Sequence, residues 1–186
     1  MCGRAVEHGG GIRRSRVVLK SPIVVSSWEP VVAGLVKAVL VPSTMAGHYA
    51  LDLLALLKAI LEGADWSSLG VDMLYGKARI VSTDPNRSNS GFMFSGLVLS
   101  LLAGDVADMA ALAQYGGDAH EIFAGMGLKS SSSGKLFDQY LAGGYGAEPM
   151  VVGYENQLVD WVPADPGRSP RTARRTAPQP ATLSPP

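Results

Sequence analysis

Residues 78–105, ARIVSTDPNRSNSGFMFSGLVLSLLAGD, restrict the choice of fold more than any other stretch of this chain. A short apolar run containing Ile80 and Val81 reads as the end of a buried strand, and the longer run at residues 92–103 reads as a buried helix. Only polar or turn-forming residues lie between them. The chain must therefore leave a sheet, cross a polar loop and enter a helix, which is the repeating step of layered α/β architecture.

The rest of the chain repeats that alternation. PIVVSS, residues 22–27, is a β-branched run typical of a buried strand. Pro30 stands near the start of a helix, where its missing N–H is tolerated, and Val31, Val32, Leu35, Val36 and Val39 give that helix an apolar face. Asp52 is suited to cap a second helix carrying Leu53, Leu56, Leu57, Ile60 and Leu61, with Gly63 as its stop. A weaker helical pattern covers about residues 106–126. Leu136, Phe137, Tyr140 and Leu141 mark a short helix ended by Gly143 and Gly144. PMVVGYE, residues 149–155, reads as another buried strand, followed by a helical turn through Leu158, Val159 and Trp161.

Charge separates the ends from the middle. The 186 residues balance to zero net charge, yet residues 21–162 hold 7 Lys+Arg against 14 Asp+Glu, a net of −7. An acidic middle argues against a nucleic-acid footprint on the folded part. Residues 1–20 are rich in Gly and Arg without periodicity and read as an irregular leader. Residues 163–186 hold seven of the twelve prolines and four arginines, and read as a disordered tail. Residues 21–162 are then the folded α/β domain. Cys2 is the one cysteine, which excludes an internal disulfide framework and a cysteine-rich metal site. Arg13, Arg14 and Arg16 precede an apolar Val17, Val18, Leu19, but Lys20 and Pro22 break that run, so it reads poorly as an export signal. No stretch reaches the length of a membrane-spanning helix.

Ser88, Asn89, Ser90 and Gly91 fall at the N-terminus of the helix that follows the first strand–loop step. Free backbone N–H groups, the positive end of the helix dipole and hydroxyl donors meet there, a composition suited to an anion or a polar ligand, although a single Ser at such a position is also an ordinary cap. KSSSSGKLF, residues 129–137, places a second serine run ahead of another helix, with a solvated linker as its plainer reading. Gly134-Lys135 is not a phosphate loop, because Lys129 and Leu136 occupy the positions that need Gly and Ser or Thr. Ser132 and Lys135 form an S-x-x-K, and Tyr154 and Asn156 a Y-x-N, but no K-T-G follows. His8, His48 and His120 are too far apart in sequence for a ligand-spaced pair, so neither a metal nor a cofactor is expected. Glu155 ends the last apolar strand, where it faces either a cleft or solvent.

The segments SPIVVSSWEPV, STDPNRSNSGFMFSGL and SSSSGKLFDQYLAGGYGAEPMVVGYENQLVDW, in that order, resemble bacterial extracellular solute-binding proteins with the type II periplasmic-binding fold, in the molybdate- and phosphate-type branch. The resemblance covers about residues 21–161. It implies a three-layer α/β fold consisting mainly of the second lobe, with an incomplete first lobe, and no catalysis. It implies that Ser88, Asn89, Ser90 and Gly91 are ligand donors, that Ser131, Ser132 and Tyr154 lie near the same cleft, and that Ser26, Ser27 or Trp28 is near a hinge. The ligand would be an oxyanion or other small polar molecule. The partner would be an ABC-type permease, with no nucleic acid and only indirect contact with a membrane, and the location extracellular or at the cell surface. The chain lacks room for most of the first lobe, which marks it as a truncated relative. Two other readings stand beside this one: a non-binding remnant or interaction domain, and a serine acyl enzyme using Ser132 and Lys135.

Overall fold

The computed structural model describes residues 22–41, 49–164 and 180–184. Strand β1, Ile23–Trp28, is buried along nearly all its length, as expected for a β-branched run with no polar alternation. It lies antiparallel to β3, Met150–Tyr154, with Ile23 opposite Tyr154 and Ser27 opposite Met150. On its other edge it pairs antiparallel with β4, Pro180–Ser184, which in turn runs parallel to the short β2, Tyr49–Ala50. The sheet order is β2-β4-β1-β3. The segment around Val81 extends it beyond β3 in parallel: Val81 N–H donates to Met150 O at 3.0 Å and Val152 N–H to Val81 O at 2.8 Å.

Helices α1 (Glu29–Lys37), α2 (Leu53–Leu61), α3 (Asn89–Ala103), α4 (Met109–Gly125), α5 (Ser133–Ala147) and α6 (Glu155–Ala164) complete a mixed α/β molecule. Helices α1, α5 and α6 pack on β1, and α3, α5 and α6 pack on β3. One hydrophobic cluster reaches from Val25 on β1 through Leu35, Leu56, Phe94 and Ile122 to Val152 on β3. Tyr140 on α5 joins helix to sheet. Its hydroxyl donates to Ser27 O at 2.7 Å, and its ring lies 4.7 Å from Trp28 and 5.9 Å from Phe137. Burial pushes the Tyr140 phenol well above its ordinary pKa, so it remains a donor. Ser27 Oγ donates to Pro149 O at 3.0 Å and Trp28 Nε1 to Glu148 O at 3.1 Å, which ties β1 to the turn before β3.

Several expectations change. Val39 is not on the apolar face of α1; it is 78% exposed, at φ 61. The helix has already ended: Leu40 N–H donates to Leu35 O and Val39 N–H to Val36 O, the paired bonds of a left-handed C-terminal turn, and Leu40 and Val41 turn inward instead. The helix read over residues 92–103 starts earlier, at Asn89, and leaves Phe92 and Met93 67% and 48% exposed. A continuous apolar run does not bury every face of a helix, and here the inner face is Ser90, Gly91, Phe94 and Val98. The short helix before Gly143 continues to Ala147, with a kink at Gly144, whose φ of 65 lies in the left-handed region. The tail read as disordered over residues 163–186 contributes the end of α6 and all of β4; the rest of it, like the leader at residues 1–20, lies outside the described residues. Composition averaged over the tail hid a short strand that opens on Pro180, where a missing N–H is tolerated, and that pairs an otherwise open edge of β1.

Candidate functional site

After Val81 the chain leaves the sheet through Ser82 and Thr83, both fully buried. Asp84 then organises a tight turn. Its carbonyl accepts from Arg87 N–H at 3.1 Å and Ser88 N–H at 2.9 Å, and its side chain accepts from Asn86 N–H at 2.9 Å. Ser88 is extended, at φ −140 and ψ 135, and is the cap residue of α3.

Its side chain does not cap. Ser88 Oγ lies 2.9 Å from Ser90 Oγ, which lies 2.8 Å from Thr83 Oγ1, so three hydroxyls form a short hydrogen-bonded chain at the strand-to-helix junction. Trp28 before α1 likewise makes no side-chain cap bond, but three other helix starts behave differently. Asp52 accepts from Ala55 N–H at the start of α2, Asp108 from Ala111 N–H at α4, and Ser132 from Lys135 N–H at α5. The first N–H groups of α3 have no intrahelical partner by construction, and the local serine that would ordinarily serve them is bonded elsewhere.

Gly91 allows the first turn of α3 to sit directly on the loop. A Cβ there would lie 2.4 Å from Thr83 O and 2.8 Å from the carbonyl carbon of Asp84. Asn89 faces outward. Its Nδ2 lies 3.5 Å from the Tyr154 hydroxyl and 3.6 Å from Met93 Sδ, so the end of β3 stands beside the start of α3. Tyr154 is held from behind, its N–H donating to Gln157 Oε1 at 2.8 Å.

The structure therefore brings Ser88, Asn89, Ser90, Gly91 and Tyr154 into one neighbourhood. Ser90 is 2% exposed and spends its hydroxyl on Thr83 and Ser88, so it sets the geometry of the cluster. The second serine loop joins at one point: Asp84 N–H donates to Ser130 O at 2.9 Å. Ser131 is exposed, and Ser132 is a helix cap whose contact with Lys135 is through that residue's backbone N–H at 3.3 Å. Ser26, Ser27 and Trp28 are buried, and Ser27 and Trp28 hydrogen-bond to the turn before β3. Glu155 is exposed in the first turn of α6, where a carboxylate favours the helix dipole.

Sequence reasoning did not single out Ser82, Thr83 or Ser130. Thr83 carries the deepest hydroxyl of the cluster, and Ser82 Oγ is buried without a hydrogen-bond partner among the described residues. Two hydroxyl residues directly after an apolar strand were the available signal. No helix among the described residues is long and apolar enough to cross a membrane. Compared with protein-family models, with characterised proteins and with solved structures, the chain finds no match.

Proposed function

We propose that this chain is a solute-binding-like α/β unit, mainly the second lobe of a type II periplasmic-binding fold, and that it holds a small polar ligand or oxyanion at the start of α3. In that reading it is a fragment of an extracellular binding protein serving an ABC-type permease. The observation that carries the reading is the uncapped start of α3. Ser88 is turned away from the first-turn N–H groups by its bond to Ser90, while Asn89 and the Tyr154 hydroxyl flank the same helix end. Fixed N–H and hydroxyl donors replace the water shell of an anion without a matched cation, and the helix dipole adds to them. The net acidity of the middle of the chain does not oppose this, because charges more than about 10 Å away are screened at physiological salt. Arg87 is exposed on the same loop and adds positive charge near the site.

The test is a thermal-shift series with molybdate, phosphate, sulfate, neutral sugars and small organic acids, on the wild type and on Asn89→Asp. The substitution places a negative charge where helix dipoles favour one, by roughly 0.3–1 kcal/mol, so the unliganded protein should melt no lower. A bound oxyanion would meet that charge directly. The expected result is a saturable rise in Tm with an oxyanion, about 2.7 kcal/mol of added stability at a hundredfold excess over Kd, and its loss in Asn89→Asp. A wild-type transition that no ligand moves, or a rise that survives in Asn89→Asp, rejects the proposal.

A further inference from the structure

A cleft of about 670 Å³ opens away from the start of α3, between the end of α2, the loop at residues 73–80 and the last turn of α4. Its size falls within the range of small-molecule sites. Ile60 and Leu61 line it half-buried, Trp66 and Ile122 line it almost fully buried, and none of the residues of the α3 cluster lines it. At the same cleft Tyr75 and Met73 are 95% and 46% exposed, large side chains that the fold leaves uncovered.

The mouth is preformed. Trp66 N–H donates to Gly76 O at 3.0 Å, Ala78 N–H to Ala64 O at 2.8 Å, and Lys77 Nζ bonds to Gly63 O. Three charged side chains line the cleft: Lys77, Arg79 and Glu121. The Lys77 charge is already met by Asp65 at 3.3 Å. Arg79 donates to Ala147 O at 2.9 Å, which fixes the guanidinium while the rest of its five-donor fork is available for a planar acceptor. Arg79 also attracts Glu148, but burial holds that carboxyl above its ordinary pKa against the pull of Arg79.

We infer that this cleft binds a small amphipathic anion, an aliphatic or aromatic body ending in a carboxylate, with the body against Ile60, Leu61 and Met73 and the carboxylate on Arg79. The site is separate from the start of α3, and neither proposal depends on the other.

Octanoate and octanol are the probes, titrated into the full chain while the Ile60 and Leu61 methyl signals are followed by NMR. Octanoate should move both signals saturably and bind more tightly than octanol. Arg79→Gln should weaken octanoate about tenfold, the scale of one charge-assisted hydrogen bond, and leave octanol unchanged. Gly125→Trp should block both probes, because Gly125 lines the cleft and a side chain there meets nothing within 4 Å. Gly146→Phe does the same from the α5 side and serves if the first variant does not fold. Signals that octanoate leaves still, equal affinity for the two probes, or binding that persists in the filled variant would each overturn the inference. Asn89→Asp should leave octanoate binding as it was, which separates failure here from failure of the oxyanion site.

Discussion

Gly91→Ala tests the junction on which the candidate site is built. In an ordinary helix interior the change stabilises by about 1 kcal/mol, because alanine loses less backbone entropy on folding. At Gly91 the added methyl would lie 2.4 Å from Thr83 O and 2.9 Å from Asp84 O, where ordinary contact begins at 3.4 Å. Both are backbone atoms of a turn held by the two bonds to Asp84 O and by the bond from Asp84 N–H to Ser130 O. The loop therefore has little room to give, and α3 must lift. Overpacking of this kind costs about 1–3 kcal/mol. A contact about 1 Å too close belongs at the upper end, which leaves a net loss of about 2 kcal/mol after the helix gain. Gly96 is the internal control: it lies on the same helix and a Cβ there meets nothing within 4 Å, so Gly96→Ala should stabilise by up to about 1 kcal/mol. Thermal and urea melts of the two variants against wild type decide the matter. A Gly91→Ala protein that melts at or above the wild type would mean that α3 is not pressed against the turn.

Val39→Gly should stabilise by about 1 kcal/mol, because a β-branched residue at φ 61 is strained and its exposed side chain gives up little packing; urea midpoints measure it. Tyr140→Phe should destabilise by about 1–3 kcal/mol in the same assay, since it leaves the buried Ser27 carbonyl without its donor. Glu148 has a pKa raised by burial, with Arg79 opposing, so the folded state binds its proton more tightly than the unfolded state. Its contribution is fully present below the ordinary carboxylate pKa and is lost as pH rises through the raised one; Glu148→Gln should flatten that fall in melts run from acid to neutral pH.

The α/β alternation was legible because each element carried its own period and its own stops. Asp52 does cap α2, Val81 does pair beside β3, though as a single bridge and not as the strand end expected of Ile80 and Val81, and the serine run at residues 130–133 does lead into α5. What escaped the sequence was set by partners far along the chain. The closing of β1 by β4 joins residues more than a hundred positions apart, and no local pattern announces it. Val39 fits the apolar spacing of α1, yet the C-terminal turn ends the helix two residues before it. At the site, composition pointed to the hydroxyls of Ser88 and Ser90, but that neither side chain caps the helix, and that Ser90 is buried in a bond to Thr83, depends on the strand side. Sequence spacing places Thr83 seven residues from Ser90, and only the turn at Asp84 brings the two within 2.8 Å.

Ser90 shows what that missing link implies. Its hydroxyl bridges Thr83 and Ser88, so its role at the site is to hold Ser88 away from the first-turn N–H groups of α3. In Ser90→Ala the Thr83 hydroxyl loses a buried partner, a cost of about 1–3 kcal/mol. Ser88, released, is free to turn and cap the helix in the manner of Ser132, a gain of about 1 kcal/mol. The two effects partly cancel, so stability should fall by no more than about 2 kcal/mol. Oxyanion binding should fall about fivefold, because the ligand must displace the released Ser88 oxygen from the same N–H groups at the cost of that cap. Adding Ser88→Ala to Ser90→Ala removes the competitor, so the double variant should recover part of the lost affinity while losing the stability that the new cap supplied. Ligand-dependent melts of the wild type, Ser90→Ala and the double variant read both quantities at once. Affinity that falls equally in the single and the double variant would mean that Ser90 contacts the ligand itself, and the positioning role assigned to it here would be wrong.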